Sequence, residues 1–313
     1  MDKPRQFIHP VLAIAFGILA MASAAIFIRF AQQFAPSIVI AAYRLTLASL
    51  LLVPIALARN RSELRNLERS QLAFGLLSGL FLALHFATWI TSLAYTTVAS
   101  SVMLVSTVPL WVALLAPITI KEPLSRPIIS GMGLALFGAI VIGISDVCTL
   151  NGTSLTCPPL DEFIQGNAFI GDILALIGAI MGAGYVLIGR KLRTRVSLLS
   201  YIFVVYGMAA IILVLIMFAM GESPFGYPPQ AYIWFLLLAL FPQLLGHSSV
   251  NWALGYLSAA YVSIILLSEP IGSTILAYLL FEEVPSSMKI FGAILILAGI
   301  FIASRTEMKS KTN

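Results

Sequence analysis

Long apolar runs separated by short polar or charged segments make up most of this chain. A helix needs roughly 20 apolar residues to cross about 30 Å of hydrocarbon. Runs of that kind predict an all-α integral membrane protein with ten transmembrane helices, at 10–29, 37–58, 71–93, 97–119, 127–145, 169–189, 198–219, 231–253, 258–280 and 288–304.

The same pattern of residues occurs twice along the chain. Identical residues recur at a single ungapped offset of 161 positions, including pairs of proline and glutamate that chance rarely places in register. These pairs are Leu93 and Leu254, Tyr95 and Tyr256, Pro109 and Pro270, Glu122 and Glu283, Gly131 and Gly292, and Gly138 and Gly299. We therefore predict a first five-helix repeat at 10–145, an outer loop at 146–168 and a second five-helix repeat at 169–304.

Composition agrees with a membrane protein, because 60% of the 313 residues are hydrophobic and only 10% are charged. Soluble domains carry roughly 25% charged residues. The net charge of +5 comes from cations that cluster in loops, so it indicates membrane orientation and not nucleic-acid binding.

Most of the Lys and Arg residues fall in loops on one side of the predicted membrane. Such loops are cytoplasmic under the positive-inside rule, so both termini are predicted to face the cytoplasm across a plasma membrane, most simply a bacterial inner membrane. Five crossings per repeat then make the two repeats enter from opposite sides, as inverted repeats. The first apolar run is expected to be retained and not cleaved as a signal peptide, since it is the repeat partner of the sixth helix.

Cys148 and Cys157 are the two cysteines of the chain, and both lie in the predicted outer loop. The outer compartment is oxidising, so this pair is predicted to form a disulfide. Two free thiols are the alternative.

The repeated motif resembles that of the EamA-like family of the drug/metabolite transporter superfamily. The residues that carry the resemblance are Thr107-Val108-Pro109, followed by Glu122 and Gly131, and Ser268-Glu269-Pro270, followed by Glu283 and Gly292, together with Arg44 in the second helix. The similarity extends over residues 10 to 304. It implies a carrier that moves amino acids, purine-like metabolites, sugars or cofactors by alternating access through a cavity between the two repeats.

Two ionisable residues lie inside the predicted membrane helices, where a charge costs about 2.5–3.5 kcal/mol on insertion scales. Glu269 is predicted to be a protonatable group or a contact for a substrate amine, with a structural hydrogen bond as the alternative. Arg44 is predicted to pair with Glu269 or with a substrate carboxylate, whose geometry a guanidinium matches. The alternative for Arg44 is a side chain that reaches out to the headgroups.

Polar and aromatic residues of the third helix of each repeat are further candidates to line the cavity. His85 and Trp89 share one helix face, and Gln243, His247 and Asn251 are predicted to form one polar stripe along a helix. Tyr185 is a weaker candidate. The alternatives are interhelical hydrogen bonds for the histidines and a position at the membrane interface for Trp89.

The prolines and the repeated glutamates have predicted structural roles. Pro109 and Pro270 each remove a backbone donor near the middle of a helix and are predicted to kink it. Glu122 and Glu283 stand at helix ends, where they are expected to pair with basic groups at the rim of the bundle.

These features favour a secondary transporter of a small polar or aromatic metabolite, an amino acid being one candidate. A membrane-embedded enzyme is poorly supported, since no His-Glu-x-x-His motif, paired acids or nucleophile pair is present, and there is no phosphate-binding loop to use ATP. No catalytic residue, metal or cofactor is therefore predicted, and the partners are the substrate and the lipid bilayer. A passive channel or a receptor is the alternative function, and a homodimer is compatible with the sequence.

Overall fold

The computed structural model describes residues 10–96, 98–145, 148–151, 154–157, 167–281 and 284–309. The helices of the first half are α1 (Pro10–Ala22), α2 (Ala24–Gln32), α3 (Ser37–Arg59), α4 (Arg61–Arg65), α5 (Arg69–Tyr95), α6 (Val98–Val105), α7 (Val108–Thr119) and α8 (Arg126–Ser145). Those of the second half are α9 (Asn167–Arg193), α10 (Leu198–Ala219), α11 (Pro229–Leu238), a π-helical segment (Ala239–His247), α12 (Ser248–Ala253), α13 (Ala259–Leu266), α14 (Glu269–Phe281) and α15 (Ser287–Lys309).

Nine helical stretches in the described part of the chain are long and apolar enough to cross a membrane. A tenth apolar stretch, Arg126–Ile142, is shorter. The predicted helical membrane architecture is confirmed, while the count of ten rests on this shorter stretch. Several of the crossings consist of two consecutive helices, such as α1 with α2 and α6 with α7.

The outer loop between the two repeats contains the strands that the structure describes. Strands β1 (Thr149–Asn151) and β2 (Ser154–Thr156) form a small antiparallel hairpin, with Thr149 opposite Thr156. A disulfide joins Cys148 to Cys157 at the open end of this hairpin. The two cysteines flank the paired strands, so the covalent link and the strand pairing close the same short loop.

The helices α8 and α15 pack along each other through their glycines. A Cβ atom added at Gly131 would lie 2.5 Å from the carbonyl oxygen of Gly299, and one at Gly138 would lie 2.6 Å from that of Gly292. Gly131 and Gly292 are repeat partners, and so are Gly138 and Gly299. The repeat therefore maps each of these contacts onto the other, as two inverted halves related by a two-fold axis between α8 and α15 require.

The fourth and ninth crossings are broken just before their prolines. The break between α6 and α7 lies at Ser106 and Thr107, and Pro109 is the second residue of α7. In the second repeat Pro270 holds the same place in α14, after a break at Leu267 and Ser268. Proline has no N–H to donate to the preceding turn, so each crossing becomes two shorter helices and exposes backbone groups at mid-depth.

The predicted polar stripe of Gln243, His247 and Asn251 runs along a crossing that is not α-helical throughout. Residues Ala239–His247 are π-helical, and a π-helix has more residues per turn than an α-helix. Pro242 lies inside this segment. Gln243, His247 and Asn251 are all buried. The first two lie in the π-helical segment, and Asn251 follows it in α12.

Glu63 lies at the end of the bundle that carries Arg59, Arg69 and Arg190, which we call the basic end. Its carboxylate accepts hydrogen bonds from the Asn60 side chain at 2.8 Å, from the Ser197 backbone N–H at 2.7 Å and from the Ser200 hydroxyl at 2.6 Å, and also from the Ser197 hydroxyl. This cluster joins α4 of the first half to the start of α10 in the second.

The Glu63 cluster is predicted to make stability depend on pH. Partial burial raises the pKa of Glu63, but the hydrogen bonds from Ser197, Ser200 and Asn60 outweigh it and hold the pKa below the usual 4.5. A depressed pKa stabilises the fold above pH 4.5, and this stabilisation is lost as the pH falls through the folded-state pKa. We expect the wild-type thermal midpoint to fall more between pH 7 and pH 3.5 than that of Glu63→Gln. Glu222→Gln, at the opposite end of the bundle, is the control, and its thermal midpoint should fall with pH as much as that of the wild type. An equal fall in the midpoint for Glu63→Gln and the wild type would contradict the prediction.

Candidate functional site

A cavity at mid-depth lies between the two halves of the bundle. Both repeats line it, with side chains from α3, α5 and the α6–α7 break on one side and from α9, the π-helical segment and α14 on the other. Its volume is about 80 Å³, whereas sites for small-molecule ligands typically have about 300–1,000 Å³. The structure therefore holds the cavity in a contracted form.

Arg44 is completely buried at the wall of this cavity. Its Nε donates a hydrogen bond to the side-chain oxygen of Gln243 at 2.9 Å, and its guanidinium carbon lies 4.0 Å from the centre of the Phe86 ring. Within the described part of the chain, the terminal nitrogens Nη1 and Nη2 have no hydrogen-bond partner. The alternative in which Arg44 extends to the lipid headgroups is thus wrong, because α5 and the π-helical segment enclose the side chain.

Trp89 contributes a second unpartnered donor to the cavity. Its indole nitrogen Nε1 is buried and has no hydrogen-bond partner, and only 5% of the residue is exposed. A place for Trp89 in an interfacial aromatic belt is therefore wrong. Buried donors of this kind are rare in folded proteins because an unmade hydrogen bond costs about 1–3 kcal/mol.

His85 stands beside Trp89 and is fixed by α9. Its Nδ1 lies 2.8 Å from the carbonyl oxygen of Gly178, and since a carbonyl only accepts, Nδ1 carries the proton. A Cβ atom at Gly182 would lie 3.0 Å from this nitrogen, so the missing side chain lets α9 approach the imidazole.

His247 ends the π-helical segment and packs among aromatic rings. Its ring centre is 5.2 Å from that of Phe86 and 6.1 Å from that of Tyr185. All three residues are buried. Phe86 lies between Arg44 and His247, so one aromatic ring contacts a polar side chain of each repeat.

Asn251 is placed behind the cavity and not in its wall. Its amide nitrogen donates to the Tyr185 hydroxyl at 2.5 Å and to the Tyr206 hydroxyl at 3.3 Å. Tyr185 itself lines the cavity. The prediction that Asn251 lines the cavity is wrong, because Asn251 is not among the residues of the cavity wall. It contacts the cavity residue Tyr185 instead and holds it in place.

Glu269 is the first residue of α14 and lines the same cavity. It follows the break at Leu267 and Ser268, so its carboxyl lies at a helix N-terminus, where the helix dipole favours negative charge. Its charge attracts that of Arg44, although the hydrogen bond that Arg44 makes is to Gln243.

A network around Glu122 joins the two halves at the basic end. One carboxylate oxygen accepts from Arg190 Nε at 2.6 Å, and the other accepts from the backbone N–H of Ala259 at 3.0 Å. Arg190 also donates to the carbonyl oxygen of Leu254 at 3.0 Å. The network connects the α7–α8 turn of the first half with α9 and the start of α13. Glu283, the repeat partner of Glu122, lies outside the described residues.

Most of the predicted site residues meet at one cavity. The structure brings Arg44, His85, Trp89, Tyr185, His247 and Glu269 together, along with Pro109. The sequence interpretation missed Phe86, Gly182 and Ser263. Phe86 could have been found from its position beside His85 and one turn before Trp89, and Gly182 from its four-residue spacing to Gly178.

Comparisons with known proteins place this architecture in a family. The profile of the EamA-like transporter family matches residues 9–144 and again 169–305. An uncharacterized transporter of Archaeoglobus fulgidus is 24% identical over 95% of this chain and 97% of its own length. The pseudopaline exporter CntI of Pseudomonas aeruginosa is 22% identical over 77% of this chain and 78% of its own length.

The fold is also found among solved structures. A crystal structure with 18% sequence identity covers 96% of this chain and 98% of its own, with a TM-score of 0.73. At this identity the likeness concerns the fold alone.

Proposed function

Because the chain belongs to the EamA-like transporter family, we propose that it is a secondary transporter of a small metabolite that carries a carboxylate group, amino acids being the first class to test. The substrate enters the cavity between the two repeats, and alternating access releases it on the other side.

The two unpartnered terminal nitrogens of Arg44 are the observation that carries this proposal. Two parallel N–H donors fit the two oxygens of a carboxylate, and such charge-assisted pairs are roughly twice as strong as neutral hydrogen bonds. Trp89 Nε1 offers a further donor. A buried cation at mid-depth with free donors is costly unless an anionic ligand occupies them for part of the transport cycle.

The other cavity residues suit the remainder of a small amphiphilic metabolite. Glu269 can accept hydrogen bonds from a substrate amine, and protonation of its carboxyl gives a route to coupling with a proton. Tyr185 and Trp89 supply aromatic surface in the cavity wall, and Phe86 packs against Arg44 and His247. The positions of Arg44 and Glu269 in one cavity favour a zwitterion over a simple anion.

The contracted cavity and the Glu122 network fit one state of an alternating-access cycle. A volume of about 80 Å³ must increase before a metabolite fits, and the breaks before Pro109 and Pro270 are places where helices can bend. Access from the basic end, which we propose to be cytoplasmic, requires Glu122 to leave Arg190 and the N-terminus of α13. The same movement separates elements of the two repeats.

Counterflow in proteoliposomes tests this proposal. Vesicles are loaded with one unlabelled amino acid at a time, and uptake of the labelled compound is compared with that of its decarboxylated amine. We expect saturable exchange of at least one carboxylate-bearing compound and none of the matched amine. Equal exchange of acid and amine would overturn the carboxylate assignment, whereas flux without saturation or trans-stimulation would establish a channel.

A further inference from the structure

A second pocket opens at the basic end of the bundle, away from the central cavity. It lies between the start of α5, the α7–α8 turn and the end of α9 with the turn that follows, and its volume is about 530 Å³. Four cationic residues line it, namely Lys121, Arg190, Lys191 and Arg195, against one acid, Glu122. Its size is that of a ligand site, and it is far larger than the central cavity.

The single acid of this pocket, Glu122, already has hydrogen-bond partners. Glu122 accepts from Arg190 at 2.6 Å and from the Ala259 backbone N–H at 3.0 Å. That ion pair offsets one of the four cations, so three positive charges remain to face the pocket. Loop cations at this end are expected from orientation alone, but orientation does not require them to converge on one concave site.

Lys121 occupies its position at a conformational cost. Its backbone φ is +57°, and it is the non-glycine residue with positive φ in the described part of the chain. A left-handed backbone conformation in a non-glycine residue costs about 1–3 kcal/mol and tends to occur at functional sites. Glycine would remove that cost, yet the turn carries a lysine, and this lysine lines the pocket.

The walls of the pocket combine apolar and hydrogen-bonding groups. Lys191 Nζ lies 3.9 Å from the centre of the Phe74 ring, which holds the ammonium near the pocket. The hydroxyls of Ser70 and Thr194 and the amide of Gln71 also line it. Clustered cations with adjacent donors and an apolar wall suit a phosphate group, whose oxygens are strong acceptors and carry negative charge.

We infer that this pocket binds a phosphate-bearing anion. Basic pockets between transmembrane helices on the cytoplasmic side bind anionic lipid headgroups, and a free phosphate presents the same chemistry. Lys121, Lys191 and Arg195 are the residues that hold it. Arg190 remains with Glu122, so binding does not require the Glu122 network to open.

The experiment measures binding of a fluorescent phosphatidylglycerol to the purified full-length protein in uncharged detergent. The competitors are unlabelled phosphatidylglycerol, zwitterionic phosphatidylcholine and inorganic phosphate. We expect phosphatidylglycerol to displace the probe and phosphatidylcholine to displace it poorly. Displacement by phosphate as well identifies a site for free phosphate groups, and displacement by phosphatidylglycerol alone identifies a lipid site. Displacement by phosphatidylcholine as effective as that by phosphatidylglycerol would overturn the proposal.

Substitutions locate the binding in the pocket. The double variant Lys121→Gln with Arg195→Gln is expected to bind the probe about 30-fold more weakly, since each cation near the membrane surface contributes roughly fivefold. Arg61→Gln with Arg65→Gln removes two exposed cations of α4 at the same end and should bind as the wild type does. Equal weakening in the two double variants would overturn the assignment.

Lys121→Gly separates loss of binding from loss of folding. Glycine accepts the positive φ without strain, so this variant should keep or raise the thermal midpoint of the ligand-free protein while it binds the probe about fivefold more weakly. Unchanged probe affinity in this stable variant would remove Lys121 from the site.

Discussion

Arg44→Gln is expected to lower the transport rate at limiting substrate concentration by at least about 30-fold. Loss of one partner from a buried, hydrogen-bonded charge pair costs about 2–5 kcal/mol, and 1.4 kcal/mol corresponds to a factor of ten. Arg44 is a buried cation in the wall of the cavity, and its two terminal nitrogens have no hydrogen-bond partner among the residues that the structure describes. The loss should therefore fall on substrate binding.

Two further variants serve as comparisons for Arg44→Gln. Arg44→Lys keeps the charge but loses the planar fork, so it should recover only part of the activity. Arg29→Gln removes an exposed arginine whose contact is a hydrogen bond to the Thr96 carbonyl oxygen at 3.2 Å, and it should transport as the wild type does. Counterflow is measured for each variant after its thermal midpoint has been shown to match that of the wild type. Wild-type transport by Arg44→Gln would remove Arg44 from the substrate site.

Gly131→Ala is expected to destabilise the protein far more than the small size of the change suggests. The new Cβ would lie 2.5 Å from the Gly299 carbonyl oxygen and 2.9 Å from the Ala303 nitrogen. Both neighbours are backbone atoms, so they cannot rotate away and α8 must separate from α15. Overpacking of this kind costs about 1–3 kcal/mol, which corresponds to a fall in thermal midpoint on the order of 5 °C.

Gly133→Ala is the matched control for that experiment. Gly133 lies two residues further along the same helix, and no atom lies within 4 Å of a Cβ added there. Alanine favours helix by roughly 1 kcal/mol over glycine, so this variant should keep or raise the midpoint in the same detergent. Equal midpoints for Gly131→Ala and Gly133→Ala would show that α8 and α15 are not closely packed in solution.

The crossings and the repeat could be predicted from the sequence because both depend on properties that do not need the fold. Apolar length sets the number of helices that can span a membrane, and the offset that pairs Pro109 with Pro270 requires only a comparison of residues. The depth of Arg44 and Glu269 follows from their distance along an apolar helix. Of the eight residues predicted to line the cavity or contact the substrate, six line one cavity, and Gln243 and Asn251 do not.

What could not be predicted depends on interhelical contacts and on local backbone geometry. The π-helical segment Ala239–His247 contains Pro242. No hydrophobic period distinguishes nine π-helical residues from nine α-helical ones. Gln243 meets Arg44, a residue 199 positions away in sequence. The hairpin of β1 and β2 is too short for an alternating pattern to emerge.

The glycine contact between α8 and α15 has a consequence for biosynthesis. More than 140 residues separate the end of α8 at Ser145 from the start of α15 at Ser287, and synthesis proceeds at about 5–20 residues per second. The glycine face of α8 must therefore wait in the membrane for roughly 10–30 seconds before α15 leaves the ribosome to cover it. In a nascent chain that stops before Ser287, the glycine face of α8 remains in contact with lipid. A membrane protease that recognises this uncovered face would distinguish unfinished chains from finished ones.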